Sequence, residues 1–402
     1  MSSRKKVSIF GVTGSVGTSA AEVILASPGL FEVQTVTAGS NAEKLADTAI
    51  RLKAKKAIIA QEDQLEPLKQ RLSGFGIAAE AGKQAAIKAA AEPADLLLAA
   101  TVGFEGLRPI LAALENGVNV AIANKEPLVA AGPLLIATAR KSGARILPVD
   151  SEHNAIFQVW EERNRARIEK IILTASGGPF LNWTQGQMQK ATPEQAIAHP
   201  NWSMGPKISV DSATMMNKAL EIVEAAYLFD LPPEKIEVVI HPQSIIHSLV
   251  VYTDGSILAQ MGESDMRIPI AHALGWPERL PAGGKKLDVS KLSGLTFQTP
   301  NFAKFPALGY AYKCLRQGPA ACITLNAANE VAVKAFLDRR IGFPAIMECI
   351  AAALNEAESN LSASSPKTVE DCEKLDQTVR VLTENIIARR TQDQQNKTVR
   401  SQ

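Results

Sequence analysis

The chain of 402 residues is poor in cysteine and in aromatic residues, and it carries almost no excess charge. Its four cysteines form no CxxC pair, so neither a zinc site nor a disulfide framework is predicted, and buried thiols in a reducing compartment, the cytoplasm, are expected. The 43 Lys and Arg residues nearly balance the 41 Asp and Glu residues, which argues against a nucleic-acid or membrane partner. No apolar run reaches the roughly 18 residues that a membrane span needs.

Short apolar runs alternate with helical patterns at the start of the chain. The runs that we predict as strands are 7–10, 32–37, 57–60, 95–100, 118–123 and 145–149. Such alternation is typical of an α/β fold with a doubly wound parallel sheet. Residues 1–150 are therefore predicted to form a Rossmann-like domain.

The composition of the chain changes after residue 150. All five histidines and all four tryptophans fall between Ser151 and Trp276. This change predicts a second, central domain over 151–285, for which we expect an α+β fold. Turn-forming residues then predict a linker at 286–311. Apolar residues that recur every three or four positions predict a C-terminal helical bundle over 312–402.

The glycine-rich segment 11–17, GVTGSVG, follows the first predicted strand and opens a helix. Glycines there let the backbone approach a pyrophosphate, whose charge is stabilised by free N–H groups at the helix start. The spacing GxxGxxG matches the dinucleotide pattern GxGxxG only in part, and a plain tight turn is the alternative. After the second strand, Gly39-Ser40-Asn41 lacks the carboxylate that usually binds a free ribose 2′-hydroxyl, which favours NADP over NAD. No arginine is present there to bind a 2′-phosphate.

Two acidic residues, Asp150 and Glu152, stand where the last strand of the first domain ends. Open parallel sheets bind their ligands at this end of the strands. The two carboxylates could converge on a hard divalent cation such as Mg²⁺ or Mn²⁺. Acidic residues at a helix start also stabilise the helix dipole, and this simpler reading is the alternative.

A second polar group lies in segment 209–221, within an apolar helix. Asn217, Lys218 and Glu221 are three and four residues apart and therefore share one helix face. A surface Lys–Glu pair worth about 0.3 kcal/mol is one interpretation. Together with Ser212, the amide and the ammonium group are instead the donors that a phosphate monoester needs, and Glu221 could complete the carboxylate set.

The turn at 174–180, TASGGPF, and the long segment 182–207 supply a third group of polar residues. The turn could simply end a strand. The segment is poor in apolar periodicity and contains His199 and Trp202 near its end. Segments of this length in compact domains are usually functional lids or disordered. We therefore predict a flap at about 182–207 that excludes water from the reacting centre.

With these segments assembled, the chain resembles the 1-deoxy-D-xylulose 5-phosphate reductoisomerase family over nearly its whole length. No single motif is specific, but their joint occurrence in this order is. The motifs are GVTGSVG, ANKE (123–126), VDSEHNA (149–155), ASGGPF, HPNWSMG (199–205), VDSATMMNKALE (210–221), HPQSIIHS (241–248), MRIPI (266–270) and LNAANE (325–330).

The resemblance implies that the central domain, 151–285, is an α+β catalytic domain, and it implies roles for some residues of these motifs. Residues implied to contact NADPH are Thr13, Gly14, Ser15, Val16, Gly39, Asn41, Asn124, Glu126 and Gly205. Implied metal ligands are Asp150, Glu152 and Glu221. Residues implied to hold the sugar phosphate are Lys125, Ser151, Glu152, Ser176, His199, Ser212, Asn217, Lys218 and Glu221, with Trp202 and Met204 covering it. The family commonly has a basic residue where Ser40 stands, which leaves the strength of NADP discrimination open.

The resemblance also implies an activity and its requirements. The expected reaction rearranges 1-deoxy-D-xylulose 5-phosphate and reduces it with NADPH to 2-C-methyl-D-erythritol 4-phosphate, in the non-mevalonate isoprenoid pathway. Mg²⁺ or Mn²⁺ is the expected cation, with Co²⁺ a third option, and a homodimer is expected. Glu152 is the expected general base, with Lys125 and His199 as further catalytic residues. The alternatives are another metal-dependent NADP dehydrogenase that does not rearrange its substrate, and a non-enzymatic NADPH sensor.

Overall fold

The computed structural model describes residues 4–200, 202, 204–360 and 366–400, and the side chains of 360 and 393–400 are not described. Asn201 and Ser203, which belong to the HPNWSMG motif, therefore lie outside the described residues. The chain divides into two compact units. Unit 1 comprises Met1–Leu128, Pro133–Arg165 and Leu258–Ser290, and unit 2 comprises Val129–Gly132, Ala166–Ile257 and Lys291–Gln402. The division at residues 150, 285 and 311 that the sequence suggests stays a prediction.

Unit 1 contains a sheet of seven parallel strands in the order β4-β3-β2-β1-β5-β6-β7. The strands are β1 (Lys5–Phe10), β2 (Phe31–Ala38), β3 (Lys56–Ile59), β4 (Ala78–Ala81), β5 (Leu96–Ala99), β6 (Asn119–Ile122) and β7 (Ile146–Pro148). The strand order reverses between β1 and β5, which confirms the predicted doubly wound α/β fold. Ligands of such sheets bind beside this switch point, outside the carboxyl ends of the strands.

Helices connect the strands of this sheet. They are α1 (Ser15–Leu25), α2 (Ala42–Leu52), α3 (Leu65–Leu72), α4 (Lys83–Ala90), α5 (Leu107–Glu115), α6 (Lys125–Ser142), α7 (Ser151–Val159) and, later in the chain, α12 (Arg267–Gly275). Short 3₁₀ segments occur at Glu62–Gln64, Phe104–Gly106, Glu162–Arg167 and Val289–Lys291. The backbone of α6 leaves helical geometry at Ala131, which has φ −137° and ψ 23°.

The core of unit 1 is built from the β-branched and leucine side chains of the strands. Val7 and Ile9 of β1 and Leu98 of β5 are fully buried against apolar residues of the helices. Each such side chain contributes about 1.5–3 kcal/mol by leaving water. All six predicted strands are confirmed. The seventh, β4, was not predicted because its sequence, Ala-Ala-Glu-Ala, contains no β-branched or aromatic residue.

Unit 2 contains a mixed sheet in the order β11-β10-β8-β9. Its strands are β8 (Ile168–Ala175), β9 (Ile236–Ile240), β10 (Ile246–Tyr252) and β11 (Ile257–Met261), and the division between the units falls within β11. β8 pairs antiparallel with β10 and parallel with β9. The helices are α8 (Gln185–Met188), α9 (Pro193–Ile197), α10 (Pro206–Ala213), α11 (Met216–Phe229), α13 (Ala307–Gln317), α14 (Pro319–Leu337), α15 (Phe343–Asn360) and α16 (Val369–Arg400), with a 3₁₀ turn at Pro233–Lys235.

Two segments of unit 2 differ from their predicted local structure. The segment 182–207 contains the short helices α8 and α9, each begun by a capping box, Thr184 with Gln187 and Thr192 with Gln195. This Thr-x-x-Gln spacing is the local sequence signal for both helix starts. Segment 209–221, interpreted as one helix, is two, because Met215 adopts a left-handed conformation with φ 62° and separates α10 from α11.

The helices α13 to α16 confirm the predicted helical character of the C-terminal part of the chain. Among the described residues, no helix combines the length and the apolar character that crossing a membrane requires. All four cysteines are buried free thiols, as the sequence predicts.

A half-buried histidine in unit 1 gives this unit a defined response to acid. The Nδ1 atom of His272 lies 3.2 Å from the amide nitrogen of Asn154, and the ring makes an edge contact with Phe157. Burial, with a smaller contribution from the nearby Arg279, lowers the pKa of His272 to about 4. The folded state therefore favours the neutral ring.

We expect stability to fall as pH decreases from about 6.5, the pKa of an unfolded histidine, toward about 4, because the unfolded chain then binds a proton that the folded one does not. The contribution of His272 is fully present above that interval. In a His272→Gln variant, the difference in melting temperature between pH 7 and pH 5 should be smaller than in the wild type. Thermal unfolding of both proteins at constant ionic strength measures this difference. An unchanged difference would contradict the assignment.

Candidate active site

The glycine-rich loop of unit 1 joins β1 to α1 in a conformation that only glycines allow at two positions. Gly11 has φ +88°, and a Cβ atom there would lie 2.4 Å from the carbonyl oxygen of Ala100. A Cβ atom at Gly17 would lie 2.2 Å from the carbonyl oxygen of Gly11. These two glycines therefore serve close packing of loop, strand and helix.

The start of α1 offers N–H groups to an anion. Gly14 is its N-cap, no side chain caps the helix, and no acidic residue stands in its first turn. Gly14 and Ser15 are exposed. An added Cβ at Gly39, after β2, would meet no heavy atom within 4 Å. This arrangement fits the pyrophosphate of a dinucleotide.

Asn124 and Glu126 stand at the carboxyl end of β6, around the start of α6. Asn124 is the N-cap of α6, but its side chain does not cap the helix. Its Nδ2 atom is buried and makes no hydrogen bond with any described residue. Buried N–H groups in proteins usually have a hydrogen-bond partner. The position of this amide therefore suits a ligand that accepts a hydrogen bond from it.

A lysine and two carboxylates meet at the carboxyl ends of β6 and β7. These strands are neighbours, and Lys125 follows one while Asp150 follows the other. Lys125 Nζ forms an ion pair with Asp150 Oδ2, and both side chains are nearly buried. Asp150 Oδ1 also caps α7 by accepting from the backbone N–H of Glu152 at 3.1 Å. The predicted dipole role and a ligand role of Asp150 are therefore compatible.

Glu152 lies beside Asp150 in the first turn of α7. The hydroxyl group of Ser151 donates to Glu152 Oε2 at 2.8 Å. One carboxylate oxygen of Asp150 and one of Glu152 lie within 4.8 Å of each other. Two ionised carboxylates at this distance repel, which makes the pair suited to a divalent cation that binds oxygen.

In unit 2, His199 is held by the turn that follows β8. Its Nε2 atom lies 3.0 Å from Ser176 Oγ, and its Nδ1 atom accepts from the backbone N–H of Trp202 at 3.0 Å. Because Nδ1 accepts, the neutral ring carries its proton on Nε2. Burial lowers the pKa of His199, so the ring is neutral at pH 7 and acts as a hydrogen-bond donor.

The turn at 174–180 packs directly against the end of α10. A Cβ atom at Gly178, which has φ +68°, would lie 2.4 Å from the carbonyl oxygen of Ser212. Glycine at this position therefore lets the Ser176 turn approach Ser212. The predicted donors of the two segments lie in neighbouring parts of unit 2.

The first two turns of α11 carry the predicted amide, ammonium and carboxylate groups. Asn217 Nδ2 donates to Glu221 Oε1 at 2.5 Å, and Lys218 Nζ forms an ion pair with Glu221 Oε2. Glu221 has no solvent exposure and Lys218 is 4% exposed. The surface-pair interpretation is wrong, since both charges are buried. Asn217 Oδ1 is buried and accepts no hydrogen bond from the described residues.

A buried carboxylate next to Ser212 was missed in the sequence. Asp211 is 1% exposed and accepts from Asn329 Nδ2 of α14 at 2.9 Å. Lys207, one turn earlier on α10, pairs with its second oxygen at 2.8 Å. Asn329 belongs to the LNAANE motif, and this bond ties that motif to the helix that carries Ser212. The 118 residues between the partners hide the contact in the sequence.

The structure places the predicted site residues in three groups with direct contacts. Lys125, Asp150, Ser151 and Glu152 form one, Ser176, His199 and Trp202 a second, and Asn217, Lys218 and Glu221 a third. Met204 is half-buried and Gly205 is the exposed N-cap of α10. Their predicted contacts with substrate and cofactor stay predictions, as do the ligand contacts of every other site residue.

Sequence models of one protein family match most of the chain. The model described as 1-deoxy-D-xylulose 5-phosphate reductoisomerase matches residues 7–132. The model described as the C-terminal domain of that enzyme matches 146–229, and one described as the DXP reductoisomerase C-terminal domain matches 261–382. The chain is 49% identical over 394 residues to the 1-deoxy-D-xylulose 5-phosphate reductoisomerase of Caulobacter vibrioides, covering 98% of this chain and 99% of that protein.

Solved structures of the same enzyme have the same fold. The reductoisomerase of Zymomonas mobilis in complex with NADPH superposes with a TM-score of 0.90 at 44% identity, covering 96% of this chain and 99% of that one. A DOX-P reductoisomerase in complex with NADPH, fosmidomycin and magnesium also superposes with a TM-score of 0.90, at 41% identity, covering 96% of this chain and 98% of that one.

Proposed function

Because this chain belongs to the 1-deoxy-D-xylulose 5-phosphate reductoisomerase family, we propose that it converts 1-deoxy-D-xylulose 5-phosphate to 2-C-methyl-D-erythritol 4-phosphate, with NADPH and a divalent cation as cofactors. The enzyme thereby serves the non-mevalonate isoprenoid pathway. The conclusion rests on one observation above all. A helix start that suits a dinucleotide and a close carboxylate pair lie at the same edge of one parallel sheet.

The metal ligands proposed are Asp150, Glu152 and Glu221. All three offer carboxylate oxygens, which Mg²⁺ and Mn²⁺ prefer. When bound, the cation polarises the substrate carbonyl and stabilises negative charge on the neighbouring oxygens. Lys125 forms an ion pair with Asp150 and Lys218 forms one with Glu221, so two of the three proposed ligands have a lysine as their partner.

The substrate phosphate is proposed to bind the polar groups of unit 2. Ser176, Ser212 and Asn217 offer neutral donors, and Lys218 adds a positive charge. His199 donates through Nε2, because the backbone of Trp202 fixes its tautomer. Trp202 and Met204 are proposed to cover the sugar. Binding energy from a phosphate far from the reacting carbons can be used to orient those carbons.

Proton transfer is assigned to Glu152, with Lys125 as a second catalytic group. The reaction breaks one carbon–carbon bond and forms another, which requires removal of a proton from a substrate hydroxyl group. Glu152 is half-buried, and Ser151 holds one of its oxygens at 2.8 Å. We propose the carboxylate of Glu152 as the acceptor of that proton. Lys125 begins α6 beside the proposed NADPH contacts Asn124 and Glu126, and its ammonium group can stabilise charge on a substrate oxygen.

NADPH is proposed to bind Thr13, Gly14, Ser15 and Val16 through the start of α1, with further contacts at Gly39, Asn41, Asn124, Glu126 and Gly205. When bound, it supplies the hydride that reduces the rearranged aldehyde. This proposal is supported by the backbone N–H groups at the start of α1 and by the buried amide of Asn124, which can position the cofactor.

The oxidation of NADPH by the purified protein tests this function. Absorbance at the nicotinamide band should fall when 1-deoxy-D-xylulose 5-phosphate and Mg²⁺ or Mn²⁺ are both present, and the product should be 2-C-methyl-D-erythritol 4-phosphate by mass and NMR. A reduced but unrearranged product would favour the alternative dehydrogenase. NADPH binding without turnover would favour a sensor.

The assignment of Glu221 as a metal ligand predicts that Glu221→Gln weakens the affinity for Mn²⁺ by more than about tenfold and removes nearly all turnover. Glu224→Gln is the matched control, since Glu224 is an equally buried carboxylate on the same helix. Titration of Mn²⁺ by electron paramagnetic resonance and unfolding of both variants separate metal loss from misfolding. Wild-type metal affinity in Glu221→Gln would refute the ligand assignment.

The flap hypothesis predicts that Trp202→Ala raises the KM for the sugar phosphate about tenfold, because a large apolar surface no longer covers it. The melting temperature should change little, since Trp202 is only partly buried. Trp160→Ala is the control, because the ring removed there contacts Arg165 and is not proposed to cover the sugar. Unaltered steady-state kinetics in Trp202→Ala would remove the covering role.

A homodimer is proposed, and the edge strand β11 is its proposed surface. Ile257, Leu258 and Met261 of this strand are 55%, 39% and 38% exposed. Exposed apolar edge strands pair readily with another chain.

Cytoplasmic location is proposed because all four cysteines are free thiols.

Ile257→Lys should shift the protein from dimer toward monomer, because a charge replaces an apolar side chain at the proposed interface. Light scattering after size exclusion measures the mass. Val381→Lys, at an apolar residue 52% exposed on α16, should leave the mass unchanged. A dimer that persists in Ile257→Lys at low micromolar concentration would place the interface elsewhere.

A further inference from the structure

The end of β2 and the start of α2 form an open, exposed surface beside the glycine-rich loop. Gly39, Ser40 and Asn41 are exposed, and space above Gly39 is free of heavy atoms within 4 Å. In dinucleotide-binding sheets this position faces the ribose of the adenosine. An acidic side chain there selects NAD, whereas a positive charge accepts the 2′-phosphate of NADP.

The charges of this surface are arranged by local hydrogen bonds. Asn41 Oδ1 caps α2 by accepting from the backbone N–H of Lys44 at 2.8 Å. The side chain of Lys44 reaches back to the loop, where its Nζ atom donates to the carbonyl oxygen of Thr13 at 2.6 Å. The acidic residue of the same turn, Glu43, is paired with Arg71 of α3 at 3.0 Å. The carboxylate is thus neutralised, and the ammonium group lies at the loop.

We propose that Lys44 is the residue that receives the 2′-phosphate of NADPH and thereby selects NADPH over NADH. The inference rests on the proposed NADPH-dependent function. Between Gly39 and Lys44 the chain has no other cation, since Ser40 and Asn41 are neutral. An ammonium group has three N–H donors, and the carbonyl of Thr13 uses one of them. The other donors and the positive charge suit a phosphate.

The same contact also supports a simpler role, in which Lys44 only braces the loop. The two roles predict different cofactor dependence. A brace affects NADPH and NADH alike, because the pyrophosphate and nicotinamide are common to both. A contact with the 2′-phosphate affects NADPH alone.

Fluorescence titration of NADPH and of NADH into the purified full-length protein, without substrate, distinguishes these roles. Lys44→Gln should raise the Kd for NADPH about tenfold, which corresponds to the loss of one exposed charge-assisted hydrogen bond. The Kd for NADH should stay within about twofold. Arg51→Gln is the matched control, because Arg51 is an exposed cation in the last turn of the same helix, roughly 10 Å further along its axis. It should change neither constant.

Rescue by a relocated charge provides the second measurement. Ser40→Arg in the Lys44→Gln background should restore much of the lost NADPH affinity without a change in NADH affinity. Equal weakening of both cofactors by Lys44→Gln, or an unchanged Kd for NADPH, would overturn the proposal. The proposed activity is judged separately, since Lys44→Gln should still turn over at saturating NADPH if the protein is a reductoisomerase.

Discussion

The nearly buried ion pair between Lys125 and Asp150 is the interaction on which the catalytic end of unit 1 depends. Charges removed from water are stable only when they are paired and hydrogen-bonded. Here the pairing follows from topology, because β6 and β7 are adjacent parallel strands and deliver both residues to the same edge. The second carboxylate oxygen of Asp150 accepts a hydrogen bond from the backbone at the start of α7. Its carboxylate is therefore held in place by contacts to both oxygens.

In unit 2 the carboxylate of Glu221 is likewise paired with a lysine. Glu221 has no exposure to solvent, yet Lys218 and Asn217 of the same helix turn supply a charge and a donor. In each unit a lysine therefore supplies the positive partner of a carboxylate that is proposed as a metal ligand.

The sequence predicted the fold of unit 1 well because apolar strand patterns and glycine-rich turns are local signals. It failed at β4, where alanines gave no strand signal, and at Met215, where no local pattern marks a left-handed residue. The site residues came mainly from family resemblance. Spacing alone could place Asn217 and Glu221 on one face, but not show that Glu221 is buried. The contact of Lys44 with Thr13 could not be predicted, because the two residues are 31 positions apart and meet only when the β1–α1 loop and the start of α2 lie side by side.

The left-handed residue between α10 and α11 has a consequence for how this enzyme can vary. A continuous helix would place Ser212 and Asn217, five residues apart, about 140° from each other around the axis. The bend at Met215 releases them from that rotation. It also places Asn217 and Lys218 in the first turn of α11, where Thr214 Oγ1 accepts from the backbone N–H of Met216 at 3.3 Å. Glycine or asparagine could keep this bend at low cost, whereas valine or isoleucine would favour one straight rod. Substitution of Met215 is therefore limited by the backbone conformation at this position rather than by side-chain chemistry.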